Sequence, residues 1–154
     1  MAVFEGEFHL PRIDRVVSGA GAVDAVGVEL QRRGVHRALV VTGATLGRSE
    51  LLDRVRLALG ERCAGVCTEA RQHVPADSAA AVAEAFRTSG ADAFVSLGGG
   101  SPIDAVKVAL HGLLAAHDAP PGWDGPPHIA VPTTLSAGEF TAVAGDRKST
   151  RLNS

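Results

Sequence analysis

The chain has 154 residues, a formal net charge of −2, 45% hydrophobic and 21% charged residues. That is one ordinary globular domain, too apolar for disorder and too close to neutral to favour nucleic acid or an anionic membrane surface. Aromatics make up 4% and Tyr is absent, so the core has to be built from Ala, Val and Leu.

Met1–Leu10 carries Glu5 and Glu7 instead of a basic-then-apolar leader. No apolar run reaches the roughly 18 residues of a membrane helix. A cytoplasmic protein is expected, without nucleic-acid or membrane partners. Val3–His9 and Arg12–Ser18 read as a β-hairpin. Gly19-Ala20-Gly21 opens the next element like the start of a dinucleotide fingerprint, but Asp24 stands where its third glycine belongs, so it reads as a turn. Ala22–Arg33 is predicted as a helix ended by Gly34, and Ala38–Thr42 as a short, doubly buried strand. Ser49 caps a helix running to Leu59, with Gly60 after it.

Ala64–Thr68 is a weaker strand. Cys63 and Cys67 are the only cysteines; they read as reduced small hydrophobes on one strand face, a poor set for zinc. Asp77 or Ser78 is predicted to cap a helix through Ser89, ended by Gly90. Ala93–Leu97 is the next buried strand, and Gly98–Gly100 turn directly into a helix from Ser101 to about Ala116. Asp118–Pro127 is a Pro/Gly-rich loop. Ile129–Val131 is a last short strand before Pro132-Thr133-Thr134. Strands and helices in this rhythm imply a Rossmann-like α/β fold. Its sheet would be doubly wound and mostly parallel, with an N-terminal β-hairpin and ligands at the carboxyl ends of the strands.

The strongest local motif is Leu97-Gly98-Gly99-Gly100-Ser101-Pro102. Glycines let the backbone turn tightly and approach a ligand. The following helix aims unpaired N–H groups and its positive dipole end at the same point. Pro102 suits the first helical turn. The motif is either a structural turn or a phosphate cradle, and the combination favours the cradle. Asp104 and Lys107 lie on one helical face, either as a plain ion pair or with Asp104 meeting a ribose or nicotinamide-side group and Lys107 supporting the site. Val131–Thr141 offers small hydroxyls and no strong acid or base beyond Glu139, which suits cofactor binding. Glu139 reads as a general base or as an ordinary helix-start acid. The six histidines (His9, His36, His73, His111, His117 and His128) form no metal or nucleophile pattern and read as surface or supporting residues.

Ser96–Lys107 (SLGGGSPIDAVK) and Ile129–Thr141 (IAVPTTLSAGEFT) together resemble the iron-containing alcohol dehydrogenase and maleylacetate reductase family. The resemblance runs from the PRIDRVVSGAGA entry segment to Gly145. It implies an NAD- or NADP-binding α/β domain, paired in the full-length protein with a helical domain that holds a divalent metal, Fe or Zn, through an Asp and three His. It implies hydride transfer between nicotinamide and an alcohol, aldehyde or keto-acid, and a homo-oligomer. Carried over by position, Gly98, Gly99, Gly100 and Ser101 would hold the pyrophosphate. Asp104 would sit beside the nicotinamide end, and Thr133, Thr134 and Ser136 would line the cofactor between ribose and nicotinamide. Thr42 and Gly43 would border the adenosine. NAD-preferring relatives often carry Asp where Gly43 stands, so room is left for NADP. No catalytic or metal-ligating residue is assigned.

Gln72-His73-Val74-Pro75 and the loop after Val131 resemble the maleylacetate-reductase branch more than the short-diol dehydrogenases. A non-catalytic nucleotide-binding module would also account for the sheet and glycine turn, as would a dehydroquinate-synthase-like or glycerol-phosphate-type enzyme. Asp146–Ser154 (DRKSTRLNS) breaks the texture of the chain and matches the translation of a widely used sequencing adapter. Residues 1–145 are therefore expected to be the nucleotide-binding domain, cut short of the metal domain and inactive alone, with 146–154 foreign.

Overall fold

The computed structural model describes residues 13–116 and 125–140. Four strands, β1 (Ala38–Val41), β2 (Cys63–Cys67), β3 (Ala93–Gly98) and β4 (His128–Pro132), form one sheet in the order β2-β1-β3-β4. All three pairings are parallel. Among the described residues helix α1 (Val26–Arg32) precedes β1, and three helices connect the strands: α2 (Glu50–Leu59), α3 (Ala76–Ser89) and α4 (Gly100–Ala116). This is the Rossmann-like α/β arrangement expected from the sequence.

The strands are short apolar runs because helices cover both faces. Alternate residues of β1 and β3 point opposite ways. Ala38, Val40, Ala93, Val95 and Leu97 pack with Val26 and Leu30 of α1 and Leu52, Val55 and Leu59 of α2. Leu39, Val41 and Phe94 pack with Ala79 and Val82 of α3 and Ala105, Val106, Ala109 and Leu113 of α4. An aromatic stack, Phe86 on Phe94 with centroids 4.2 Å apart, lies on this second face.

Helix ends follow local chemistry. Ser49 caps α2 by accepting from the Leu52 amide at 3.3 Å while donating to Leu46 O at 2.7 Å. Gly90 ends α3 in the left-handed conformation. The predicted cap of α3 differs. Pro75 occupies the cap position, which places Asp77 and Ser78 inside the first turn. Ser78 is fully buried; its hydroxyl donates to Glu69 O and accepts from the Arg71 amide at 3.2 Å. The side chain expected to cap the helix instead staples the loop before it.

Three further expectations change. Residues 13–18 form no strand among the described residues, and their predicted partner Val3–His9 lies outside them, as do His9, His117, Thr141, most of the Asp118–Pro127 loop and residues 146–154. The segment predicted as one helix over Ala22–Arg33 begins as a 3-10 turn, Ala22–Ala25, before α1. The two cysteines do not share a face. β2 carries a register shift opposite Ala38 and Leu39, whose partners are Cys63 and Gly65. The extra residue, Ala64, reverses the alternation. Cys63 therefore packs toward α1 and α2, and buried Cys67 toward α3 and α4.

Candidate functional site: the glycine turn and the loop after β4

From β1 the chain leaves through α2 to β2 on one side; from β3 it leaves through α4 to β4 on the other. The carboxyl ends of β1 and β3 thus form the point where strand order diverges, the usual ligand crevice of an open α/β sheet. Gly98–Ser101 lies there, with the loop after β4 beside it because Leu97 and Gly98 pair with Val131 and Pro132.

Gly98 has φ +145°, and a Cβ there would stand 2.7 Å from Pro102 Cγ. Neither the conformation nor the space admits another residue without movement. A Cβ on Gly99 would lie 2.9 Å from Thr134 Oγ1, and one on Gly100 would lie 3.5 Å from Ser136. The sequence therefore brings two walls into direct contact at this cleft: glycine backbone and the first turn of α4 on one side, Thr134 and Ser136 on the other. The Thr133 amide donates to Gly98 O at 2.8 Å and locks the walls together at the root. Thr133, Thr134 and Ser136 are exposed, Ser101 is half-buried, and α4 starts at Gly100, one residue earlier than the sequence predicts. A helix start beside exposed hydroxyls fits an anionic, hydrogen-bonding ligand such as a nucleotide's pyrophosphate.

Thr42 is fully buried, and its hydroxyl donates to Leu97 O at 2.8 Å. That hydroxyl is spent inside the sheet, tying the ends of β1 and β3, so of the Thr42–Gly43 pair only Gly43 is open to a ligand. A Cβ on Gly43 would approach Ala70 O to 3.2 Å, so a side chain here needs the 68–75 loop to yield slightly.

A polar cluster lies behind the cleft. Asp104 and Lys107 of α4 form an ion pair, Oδ1 to Nζ 3.7 Å, with side chains 23% and 18% exposed. Lys107 also donates to Gly138 O. Burial holds its ammonium below the usual lysine range, opposed by the charges of Asp104 and Glu139. Glu139 sits in the 3-10 turn Gly138–Phe140, with Oε2 buried. His128 of β4, which the sequence offers only as a scattered histidine, places Nε2 2.7 Å from the buried Ser96 Oγ. Burial pushes its pKa down to about 4, and the nearby Lys107 charge adds to the effect. No sequence motif signals this pair; the signal is the β3–β4 register, which sets Ser96 beside Ala130 and His128 two residues further back along β4.

Among the described residues no three His, Cys, Asp or Glu side chains stand together as a metal site, and no helix is long and apolar enough to cross a membrane. Asp104 faces Lys107, so it joins the supporting cluster as well as flanking the cleft.

The fold is that of a Rossmann-like α/β domain, with the glycine turn at its switch point as the candidate site. The family model described as iron-containing alcohol dehydrogenase matches residues 13–150. Maleylacetate reductase from Pseudomonas sp. (strain P51) is 34% identical over 138 residues, covering 89% of this chain and 35% of that protein. The crystal structure of maleylacetate reductase from Agrobacterium tumefaciens superposes with a TM-score of 0.70 at 32% identity, over 90% of this chain and 36% of that one. Sulfoacetaldehyde reductase from Bifidobacterium kashiwanohense, solved in complex with NAD+, gives 0.70 at 25% identity, over 83% of this chain and 37% of that one. The chain belongs to the iron-containing alcohol dehydrogenase family and spans about a third of the length of these relatives.

Proposed function

We propose that this chain is the NAD(P)-binding part of an oxidoreductase that moves hydride between a nicotinamide and a small alcohol, aldehyde or keto-acid. The carrying observation is the two-walled cleft, in which glycine backbone at the start of α4 faces Thr134 and Ser136 across the switch point of the sheet. Gly98, Gly99, Gly100 and Ser101 hold the pyrophosphate with backbone N–H groups and one hydroxyl. Thr133, Thr134 and Ser136 orient the ribose and nicotinamide side, with Asp104 flanking it. Gly43, at the end of β1 beside the buried Thr42, borders the adenosine. The bound nicotinamide supplies or accepts the hydride. The chain's own residues bind and orient, and no step is routed through a metal. The divalent metal, the substrate contacts and any homo-oligomer belong to the whole protein. We take residues 1–145 as the nucleotide-binding domain and 146–154 as foreign to it.

Within that reading, reduction of a dicarboxylate keto-acid such as maleylacetate is favoured by the resemblance to two maleylacetate reductases. The test is equilibrium binding of NADH and NADPH to the chain, read by nicotinamide fluorescence. Saturable binding is expected with Kd on the order of 1 mM or somewhat below, as for a ligand held by an open site rather than an enclosed one. Absence of saturable binding for both nucleotides overturns the proposal. Gly43→Asp should weaken NADPH more than NADH, because a carboxylate there repels a 2′-phosphate.

A further inference from the structure

The loop after β4 is held at two points. At its root the Thr133 amide donates to Gly98 O. At its far end Lys107 donates to Gly138 O. Between these points Thr133, Thr134, Leu135, Ser136 and Ala137 are exposed. Ala137 adopts a left-handed φ of +56°, which turns the chain back so that the Phe140 amide reaches Ala137 O at 3.0 Å. Gly138 packs so closely on α4 that a Cβ there would stand 3.6 Å from Gly100 Cα. The backbone that Lys107 grips therefore lies against the first turn of the nucleotide helix.

We propose that Lys107 is a positioning residue for the nucleotide site, tying the far end of the 133–140 loop to α4 so that Thr134 and Ser136 face the glycine turn. The proposal rests on the nucleotide-binding reading above. Lys107 lies more than one helical turn beyond Ser101, on the face turned to the loop, and acts through Gly138 and not through the ligand. Its ammonium suits the task because, among the described residues, the groups facing it supply a complementary set. Asp104 comes from its own helix, Glu139 from the loop turn and the Gly138 carbonyl from the loop backbone; His128 on β4 contributes no charge near neutral pH. A charged donor to a carbonyl in partly buried surroundings is among the stronger single hydrogen bonds available. Burial also lowers the pH at which the ammonium loses its proton, so the tie weakens as pH rises, earlier than for an exposed lysine.

The experiment is amide hydrogen exchange of the whole chain, comparing wild type with Lys107→Met and Lys107→Arg and following peptides over 133–140, with β1 and α2 as internal controls. Lys107→Met should speed exchange of the loop amides about tenfold and leave the controls unchanged, and Lys107→Arg should stay near wild type. As pH rises wild type should converge on Lys107→Met, whereas Lys107→Arg should not, because a guanidinium keeps its proton. Loop amides that exchange equally in Lys107→Met and wild type overturn the tie. NADH titrations of the same samples complete the test: Lys107→Met should bind about tenfold more weakly, and faster loop exchange with unchanged affinity overturns the positioning role. A wild type that binds neither NADH nor NADPH overturns the nucleotide reading alone, since exchange decides the tie.

Discussion

At the residue scale, two adjacent glycines do different work. Gly98 is required by its own backbone, with φ +145° and the rigid Pro102 ring 2.7 Å from a would-be Cβ. Gly99 is required by a neighbour, the Thr134 hydroxyl, which is exposed and able to rotate. The consequences separate. Gly98→Ala should destabilise the fold by about 1–3 kcal/mol through strain and overlap. Gly99→Ala should cost less than about 1 kcal/mol of stability yet turn Thr134 away and weaken nucleotide binding. If so, Thr134→Ala adds little on top of Gly99→Ala, and a double-mutant cycle in NADH affinity is strongly non-additive. Additive losses would mean that the two residues do not form one wall. The glycine motif is visible in the sequence because three consecutive glycines between a strand and a helix have few other uses. Which atom each glycine makes room for is not visible there, since that depends on a loop distant in the chain.

At the element scale, the order of β1–β4 and α1–α4 is legible in the sequence because apolar runs and glycine stops are local signals, while boundaries shift, most at α1, which starts at Val26 and not at Ala22. Features decided by contacts are not. Arg12–Ser18 has strand-like composition, but residues 13–18 form no strand among the described residues, and a strand needs a partner that composition alone does not supply. The faces of Cys63 and Cys67 escape a reading of the sequence because a bulge leaves no mark in the alternation of a five-residue strand. The α3 cap escapes it for a similar reason: Ser78 has the chemistry of a cap, but its hydroxyl is used on the 69–71 backbone. Ser78→Ala removes a buried hydroxyl and leaves Glu69 O and the Arg71 amide, part-buried groups of exposed residues, without that partner, so it should cost about 0.5–2 kcal/mol, comparable to a lost cap. Urea denaturation of the variant measures it, and a loss below about 0.5 kcal/mol would show that the loop finds other partners.

At the scale of the whole molecule, acid stability divides between two groups of side chains whose effects fall in different pH ranges. Asp14, Asp24 and Asp77 are each held below the usual carboxylate range chiefly by a hydrogen bond from an arginine, Arg32, Arg54 and Arg71 respectively. All three pairs sit on the surface, where salt screens them. Any stability they give is present above the unfolded carboxylate pKa and lost only as pH falls through the lowered folded value, below about 4. His128 acts earlier and from the interior. Its folded pKa is about 4 against 6.5 for an unperturbed histidine, so the unfolded chain takes up a proton that the folded chain refuses. Stability from the neutral ring is therefore complete above about pH 6.5 and drains away between about 6.5 and 4, by about 1–3 kcal/mol for one group that is enclosed but still keeps some surface. Because the ring is bonded to Ser96 Oγ inside the sheet, this loss should be nearly insensitive to salt, unlike any change below about pH 4. Denaturant midpoints between about pH 7.5 and 4.5, at low and high salt, test the division. His128→Gln keeps a hydrogen-bonding group beside Ser96 but has no proton to take up, so its stability should change much less across that interval. A variant that loses as much stability as wild type between about pH 6.5 and 4.5 would place the acid-sensitive group elsewhere than at the β3–β4 pairing that frames the candidate site.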